Sequence, residues 1–211
     1  MEPSPEINLE DSFLSRARYP KARKRLQDIL DATYELIAEE GLAGASQEAI
    51  AKRAKVTQSA VRHYFPTKEE LLLAFFKVGV ERFRYVVDAK LREPNRDHRE
   101  QLLEIISTHY DWIIRTEDVC YFEAAAFWGR NPEFRSFRES WYQRLTESYL
   151  DLLKKIHPSW SSDKLSDTTF QLMTLVLGGW ITMGNTRSVY RGTAESDLKD
   201  KLLRGATRLI D

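Results

Sequence analysis

A chain of 211 residues, 42% hydrophobic and with 32 Lys and Arg against 32 Asp and Glu, is long enough for one or two domains that bury about 70% of the unfolded surface. A single cysteine, Cys120, excludes an intrachain disulfide framework, and no 18-residue apolar span or signal-like segment is present, so a cytoplasmic chain with neither membrane anchor nor export is expected. The neutral total hides a segregation: residues 1–15 carry no Lys or Arg against 4 acids, residues 16–68 carry 11 against 6, and residues 69–211 carry 21 against 22. A local positive excess of that kind is the electrostatic footprint of a nucleic-acid binder.

In chain order, residues 1–15 contain Pro3, Pro5 and four acids with little hydrophobic periodicity, which predicts a disordered acidic tail. Arg16, Arg18, Lys21, Arg23, Lys24 and Arg25 then form a basic arm, with Arg23 and Lys24 as candidate DNA contacts, lying along phosphates or in a minor groove. The arm leads into a helix whose Leu26, Ile29, Leu30, Thr33, Tyr34 and Ile37 recur at helical spacing up to Gly41; that stripe is core.

Residues 46–68, SQEAIAKRAKVTQSAVRHYFPTK, combine helix caps, turn chemistry and phosphate-seeking side chains. Ser46 is a natural N-cap for Glu48 or Ala49, and Ile50, Ala51 and Ala54 give a small apolar face to a short helix ending near Lys55. A second short helix begins at Thr57, which caps Ser59 or Ala60, and rests on its predecessor through Ala60, Val61 and Phe65. The three- or four-residue turn between them predicts a helix-turn-helix. Thr57, Gln58, Ser59, Arg62 and His63 then point outward, able to hydrogen-bond base edges and phosphates in a major groove. Ser46, Gln47 and Tyr64 complete the candidate set. Pro66 stops the helix, and Thr67-Lys68-Glu69-Glu70 is a capping box for the next, placing Lys68 at a helix N-terminus where a phosphate is favoured.

Gly41, Ser46, the run Ile50–Thr57 and the run Val61–Leu71 resemble the N-terminal domain of TetR-family transcriptional regulators. The motif covers residues 21 to about 75, and the length and helical remainder agree with that family. Two departures stand out: Lys55 occupies a position that is often glycine in the family, and Arg62-His63-Tyr64 fills positions that are frequently tyrosine, an aromatic or basic residue, and histidine. A phosphate contact made by tyrosine in relatives therefore does not transfer to Arg62.

Beyond Lys68, a helix of ~24 residues, ~36 Å long, is predicted to Arg92, carrying Leu71, Leu72, Phe75, Phe76, Val80, Phe83, Val86, Val87 and Leu91 before Pro94-Asn95. Further helices are expected over Asp97 to about Thr116, Glu117–Gly129, Pro132–Ile156, Ser162 to about Tyr190, and Glu195–Ile210, about nine in all, in an all-α chain. The domains expected are the tail 1–15, a DNA-binding head 16–68 and a ligand-binding and dimerisation body 69–211. The resemblance implies an effector cavity among the middle helices, and periodicity nominates His109, Tyr110, Ile113, Phe122, Glu123, Phe127, Trp141, Leu145, Met173 and Leu177 as its lining. An aromatic stripe at helical spacing is more often packing than a binding site: Glu123 reads as an exposed ion-pairing carboxylate before the partner of a cationic ligand, and His109 as a satisfied core or surface histidine before a contact. No basic residue adjoins Cys120 in sequence, so it reads as an inert small residue.

The segment Leu172–Met183 is apolar nearly all round its helix, and Gly178-Gly179 would cost about 1 to 2 kcal/mol there relative to alanine, which a close helix approach would offset. With Leu198, Leu202, Leu203, Ala206 and Leu209 on the last helix, this suggests an isologous homodimer through the last two long helices, as the resemblance also implies. The sequence holds no Walker loop, dinucleotide fingerprint, HExxH, CxxC pair or GxSxG elbow, and its four histidines lack metal-site spacing, so no enzyme, metal or cofactor is expected. The expectation is a homodimeric regulator, most often a repressor in such families, binding double-stranded DNA at a pseudo-palindromic operator and answering to an unknown small-molecule effector. The alternative is a helical small-molecule-binding or scaffolding protein without specific DNA binding.

Overall fold

The structure, a computed structural model, describes residues 19–94, 96–115, 118–183, 190 and 192–211. The acidic segment 1–15, Arg16 and Arg18 lie outside them, as do Thr116, Glu117 and Arg191, where two predicted boundaries fall. The described residues form α-helices and no strand: α1 (Pro20–Gly44), α2 (Gln47–Arg53), α3 (Gln58–Tyr64), α4 (Lys68–Leu91), α5 (His98–Arg115), α6 (Asp118–Arg130), α7 (Pro132–Ile156), α8 (Ser162–Leu177), α9 (Gly179–Thr182) and α10 (Glu195–Ile210). Counting α8 and α9 as one helix broken at Gly178 gives the nine expected.

The chain divides into two compact units, the first reaching Tyr85 and taking in Phe122–Arg135, the second Val86–Tyr121 with Ser136–Asp211. In the first, Pro20 stands at N1 of α1, where its missing N–H is no loss. Leu26, Ile29, Leu30, Thr33, Leu36 and Ile37 turn that helix inward, each at most 3% exposed; burying such a Leu or Ile is worth ~1.5–3 kcal/mol. Gly41, at φ 70°, kinks α1, and only a residue without Cβ takes that angle without strain. The first half of α4 packs Phe76 on Phe127 and Phe134, with ring centroids 5.3 and 5.5 Å apart. Asn131, buried between α6 and α7, accepts from the Phe134 N–H at 2.8 Å and donates to Glu69 at 3.0 Å, so one side chain caps α7 and ties it to the start of α4.

In the second unit, Asp97 caps α5 through the Glu100 N–H, and the buried Gln101 amide donates to the Lys90 and Leu91 carbonyls that end α4. Glu104 receives both Lys90 and Arg96, which holds its carboxyl below the usual carboxylate range. The amphipathic α10 packs on α5 and α8 through Leu198, Leu202, Ala206 and Ile210. The Tyr110 hydroxyl donates to the Glu195 carbonyl at 2.7 Å at its start, and Arg99 meets Asp211 at 2.7 Å at its end.

The structure corrects the continuous helix expected from Ser162 to about Tyr190: α8 ends at Leu177, Gly178 caps it, and α9 ends at Thr182. The glycine pair does mark a close approach, but within the chain, since a Cβ on Gly179 would stand 3.2 Å from Ile113 Cδ1 of α5. A second such approach was not anticipated: Gly205 of α10 lies under Leu175 of α8, whose Cδ2 would be 3.4 Å from an added Cβ. Along Leu172–Met183, Thr174, Ile181 and Thr182 are exposed in the single chain.

Candidate nucleic-acid interface

Two hydroxyl caps build the reading helix and its support. The Ser46 hydroxyl accepts from the Ala49 N–H at 3.1 Å, and the Thr57 hydroxyl from the Ala60 N–H at 3.1 Å; each such cap contributes ~1 kcal/mol. Ile50, Ala51, Val61 and Phe65 are at most 3% exposed and hold α2 against α3. Between the helices Lys55 adopts φ 54°, the left-handed angle that reverses the chain within the turn. It is the only described residue other than glycine with positive φ.

Opposite the buried face of α3, Thr57, Ser59, Arg62 and His63 are exposed, and Gln58 and Tyr64 are half-buried. The Thr57 and Ser59 hydroxyls share a 2.9 Å hydrogen bond, and the His63 ring stands edge-on to Tyr64. This face thus offers hydroxyls, an amide, a guanidinium and an imidazole, side chains that bond base edges and phosphates. Ser46 is exposed beside it, and Arg23 and Lys24 are exposed in the first turns of α1.

Two predicted contacts have internal duties. Gln47 donates its Nε2 to the Phe65 carbonyl at 2.6 Å, closing the start of α2 on the end of α3. Lys68 donates to the Leu42 carbonyl just past the α1 kink; an ammonium carries three N–H donors, so two remain for a phosphate at the N-terminus of α4. The Thr67 hydroxyl accepts from the Glu70 N–H at 3.1 Å and donates to the Glu70 carboxylate at 3.0 Å, a variant of the predicted capping box. Arg53, pinned by Glu39 at 2.7 Å and Glu35 at 3.1 Å, fastens α2 to α1. Its pKa is raised by hydrogen bonds to both carboxylates.

The residues nominated for an effector site fall in both units. Phe122, Glu123 and Phe127 belong to the first. Phe127 is core, Phe122 is 42% exposed, and the Glu123 carboxylate lies over the α1 kink, where a Cβ on Gly41 would come within 2.8 Å of its Oε1. His109, Tyr110, Ile113, Trp141, Leu145, Met173 and Leu177 belong to the second, and all but the half-buried Leu177 are buried. Burial pulls the His109 imidazole down to about 3, and burial, then Glu195 and Asp111, pushes the Tyr110 phenol up to about 12. Of this set only Tyr110 lines a small pocket of about 190 Å³, with Asp111, Ile114, Glu195, Ser196 and Lys199. That is below the ~300 Å³ at which ligand sites usually begin. Sequence reasoning missed Tyr149 of α7, whose buried hydroxyl has no partner among the described residues. Lys55, noted in the sequence only as a departure from the glycine frequent in the family, was not nominated as a contact. Cys120 is buried, and no group of three metal-ligating side chains occurs among the described residues.

Residues 29–75 match the profile of bacterial regulatory proteins of the tetR family. The chain is 36% identical over 97 residues to the HTH-type transcriptional regulator PksA of Bacillus subtilis, an alignment covering 44% of this chain and 47% of that protein. Over residues 29–75 the chain thus carries the helix-turn-helix segment of tetR-family regulators. It spans about half the length of the curated relatives it matches first. A TetR/AcrR-family regulator from Thermobifida fusca superposes with a TM-score of 0.70 at 19% identity, covering 89% of this chain and 97% of that one. AibR, solved with isovaleryl coenzyme A and operator DNA, gives 0.63 at 17% identity, over 85% and 96%. At these identities the structures establish the TetR-type helical fold alone. No described helix is long and apolar enough to cross a membrane.

Proposed function

We propose that the chain is a sequence-specific, DNA-binding regulator of transcription, a repressor released by a small-molecule effector. The observation that carries this is the outer face of α3: Thr57, Ser59, Arg62 and His63 stand exposed on a capped helix whose other face is sealed by Val61 and Phe65. Placed in a major groove, the N-terminal residues of α3 read base edges, while Arg23, Lys24 and the free donors of Lys68 hold phosphates. An effector that favours one conformation of the second unit shifts the population of DNA-competent molecules, a coupling that typically amounts to ~1–3 kcal/mol. AibR, whose complex contains both an acyl-coenzyme A and operator DNA, is the precedent in this fold. Regulation by binding needs no catalytic residue, in keeping with a cytoplasmic protein that is not an enzyme.

A homodimer completes the reading. Its seam is placed on the last two long helices, where Phe170 of α8 is 70% and Ile181 of α9 59% exposed. Thr174 and the half-buried Leu177 fall between them at helical spacing. Two copies joined there would present two α3 helices to half-sites ~34–36 Å apart.

The test is to retain sheared genomic DNA on the purified protein at moderate salt and sequence what is held, with Arg62→Ala, His63→Ala protein alongside. Enrichment of a two-fold-symmetric site, absent with the variant, is the expected result. Retention that is independent of sequence, or equal for the two proteins, overturns the reading.

A further inference from the structure

One concavity of the first unit is lined by none of the outer-face residues of α3. It is a groove of about 570 Å³ between the first turns of α1 and the α2–α3 turn, and Lys21, Lys24, Arg25 and Lys55 line it. None of these four forms an ion pair among the described residues, whereas Arg53, also in the groove, is satisfied by Glu35 and Glu39. Asp28 and Asp31 moderate the charge without cancelling it. The backbone adds an independent observation. Lys55 holds a left-handed angle that glycine takes without the strain an L side chain meets, and an outlier kept in an exposed turn directs attention to what its side chain does there.

The chain supplies its own anion for this groove. Residues 1–15 carry Glu2, Glu6, Glu10 and Asp11 and no Lys or Arg, and residues 16–18 connect them to the start of α1 at Tyr19 and Pro20. Nine residues separate Asp11 from Lys21, a tether that reaches at most ~35 Å, so the acids nearest α1 stay close at an effective concentration on the order of millimolar. The geometry points to an intramolecular occupant: the acidic segment 1–15 binds the groove formed by Lys21, Lys24, Arg25 and Lys55 and competes there with DNA phosphates. The docking stands on the groove and the charge pattern; the competition rests on the DNA-binding reading of α3. A chain of zero formal charge thereby screens its own basic surface, so that only a duplex bound through α3 as well displaces the segment. Sequence-independent binding is suppressed and specific binding is retained.

Two measurements on the full chain test this separately. Zero-length carbodiimide coupling, which joins a carboxylate to a lysine amine in contact with it, is carried out without DNA and mapped by mass spectrometry. Lys55, remote in sequence, is expected to couple to Glu2, Glu6, Glu10 or Asp11 in preference to the exposed Lys154, Lys155 and Lys201, and to lose that preference at ~1 M salt, where the Debye length is ~3 Å. Coupling spread evenly over these lysines overturns the docking. The full-length variant E2Q, E6Q, E10Q, D11N is then compared with the parent on random-sequence duplex DNA at moderate salt, where it is expected to bind on the order of tenfold tighter. Equal affinity overturns the competition, and tighter binding without Lys55 coupling replaces docking by long-range repulsion. If neither protein binds DNA, the reading of α3 falls, while the coupling result still decides the docking.

Discussion

α3 and α7 are both amphipathic helices begun by a side-chain cap, Thr57 on one and Asn131 on the other, and they inform in opposite ways. On α3 the pattern leaves over something that packing does not need: Arg62, His63 and Ser59 face outward with Val61 buried behind them. On α7, Trp141, Leu145 and Tyr149 recur every four residues and are all buried, as a core stripe is. A polar face that packing leaves unused points to a partner, whereas an inward aromatic stripe looks the same whether it fills a core or lines a cavity.

The sharpest test of that contrast is truncation on each helix. Trp141→Ala on α7 is expected to cost ~3–5 kcal/mol, the usual penalty for emptying a buried aromatic site. Arg62→Ala on α3 should leave stability within ~0.5 kcal/mol, both read from urea unfolding. A Trp141→Ala cost below ~1 kcal/mol would show that the ring borders open space, which would return it to the effector-site candidates.

Acid should probe the buried core next, at His109 of α5. The His109 imidazole is drawn from 6.5 to about 3 by burial. Between those values the unfolded chain takes up a proton that the folded chain refuses, so this contribution is complete above about pH 6.5 and is lost as the pH falls towards 3. The slope is at most ~1.4 kcal/mol per pH unit, or ~2–3 kcal/mol by pH 4.5. Unfolding midpoints of the parent and His109→Gln, measured from pH 7 to 4.5, should converge as the pH falls; parallel curves would mean that His109 takes up its proton as readily in the folded protein as in the unfolded chain.

How much of this was legible in the sequence follows the same division. Both helix-turn-helix caps, the inward Val61 and Phe65 and the stop at Pro66 were readable because caps and short amphipathic repeats are local signals. The internal duties of Gln47 and Lys68 were not, since Phe65 and Leu42, whose carbonyls they reach, lie 18 and 26 positions away. The effector candidates fared differently. Periodicity nominated Ile113, Trp141 and Leu145 as a cavity lining, and burial, which they show, is common to a lining and to a core; the nominated residues belong to both units. The break at Gly178 was hidden by the apolar residues around it, because a buried helix and a buried helix break share that composition.

The specificity of the exposed face is the next point to probe. Arg62→Ala should weaken binding to the enriched operator by ~1–3 kcal/mol if the guanidinium reads a guanine, with relaxed preference at one base position. A loss uniform across sequences, with a salt slope shallower by about one, would instead assign Arg62 to a phosphate. Both outcomes are read from one titration series at several salt concentrations, with stability measured alongside.

The smallest expected effect lies in the turn itself. Lys55→Gly relieves a left-handed strain of ~1–2 kcal/mol but gives the unfolded chain a freedom worth ~0.5–1 kcal/mol, so the net gain should be at most ~1 kcal/mol. Lys55→Asn tolerates the same angle with less unfolded-state freedom, and should gain about as much. If both variants raise the urea midpoint, the turn carries strain that the lysine retains at the expense of stability, and its ammonium must be valuable elsewhere. If neither does, the left-handed angle is held without cost by the backbone bonds of the turn, from Lys55 to the Lys52 carbonyl and from Val56 to the Ala51 carbonyl. The turn would then be explained by its own packing, and the case for Lys55 would rest on its charge alone.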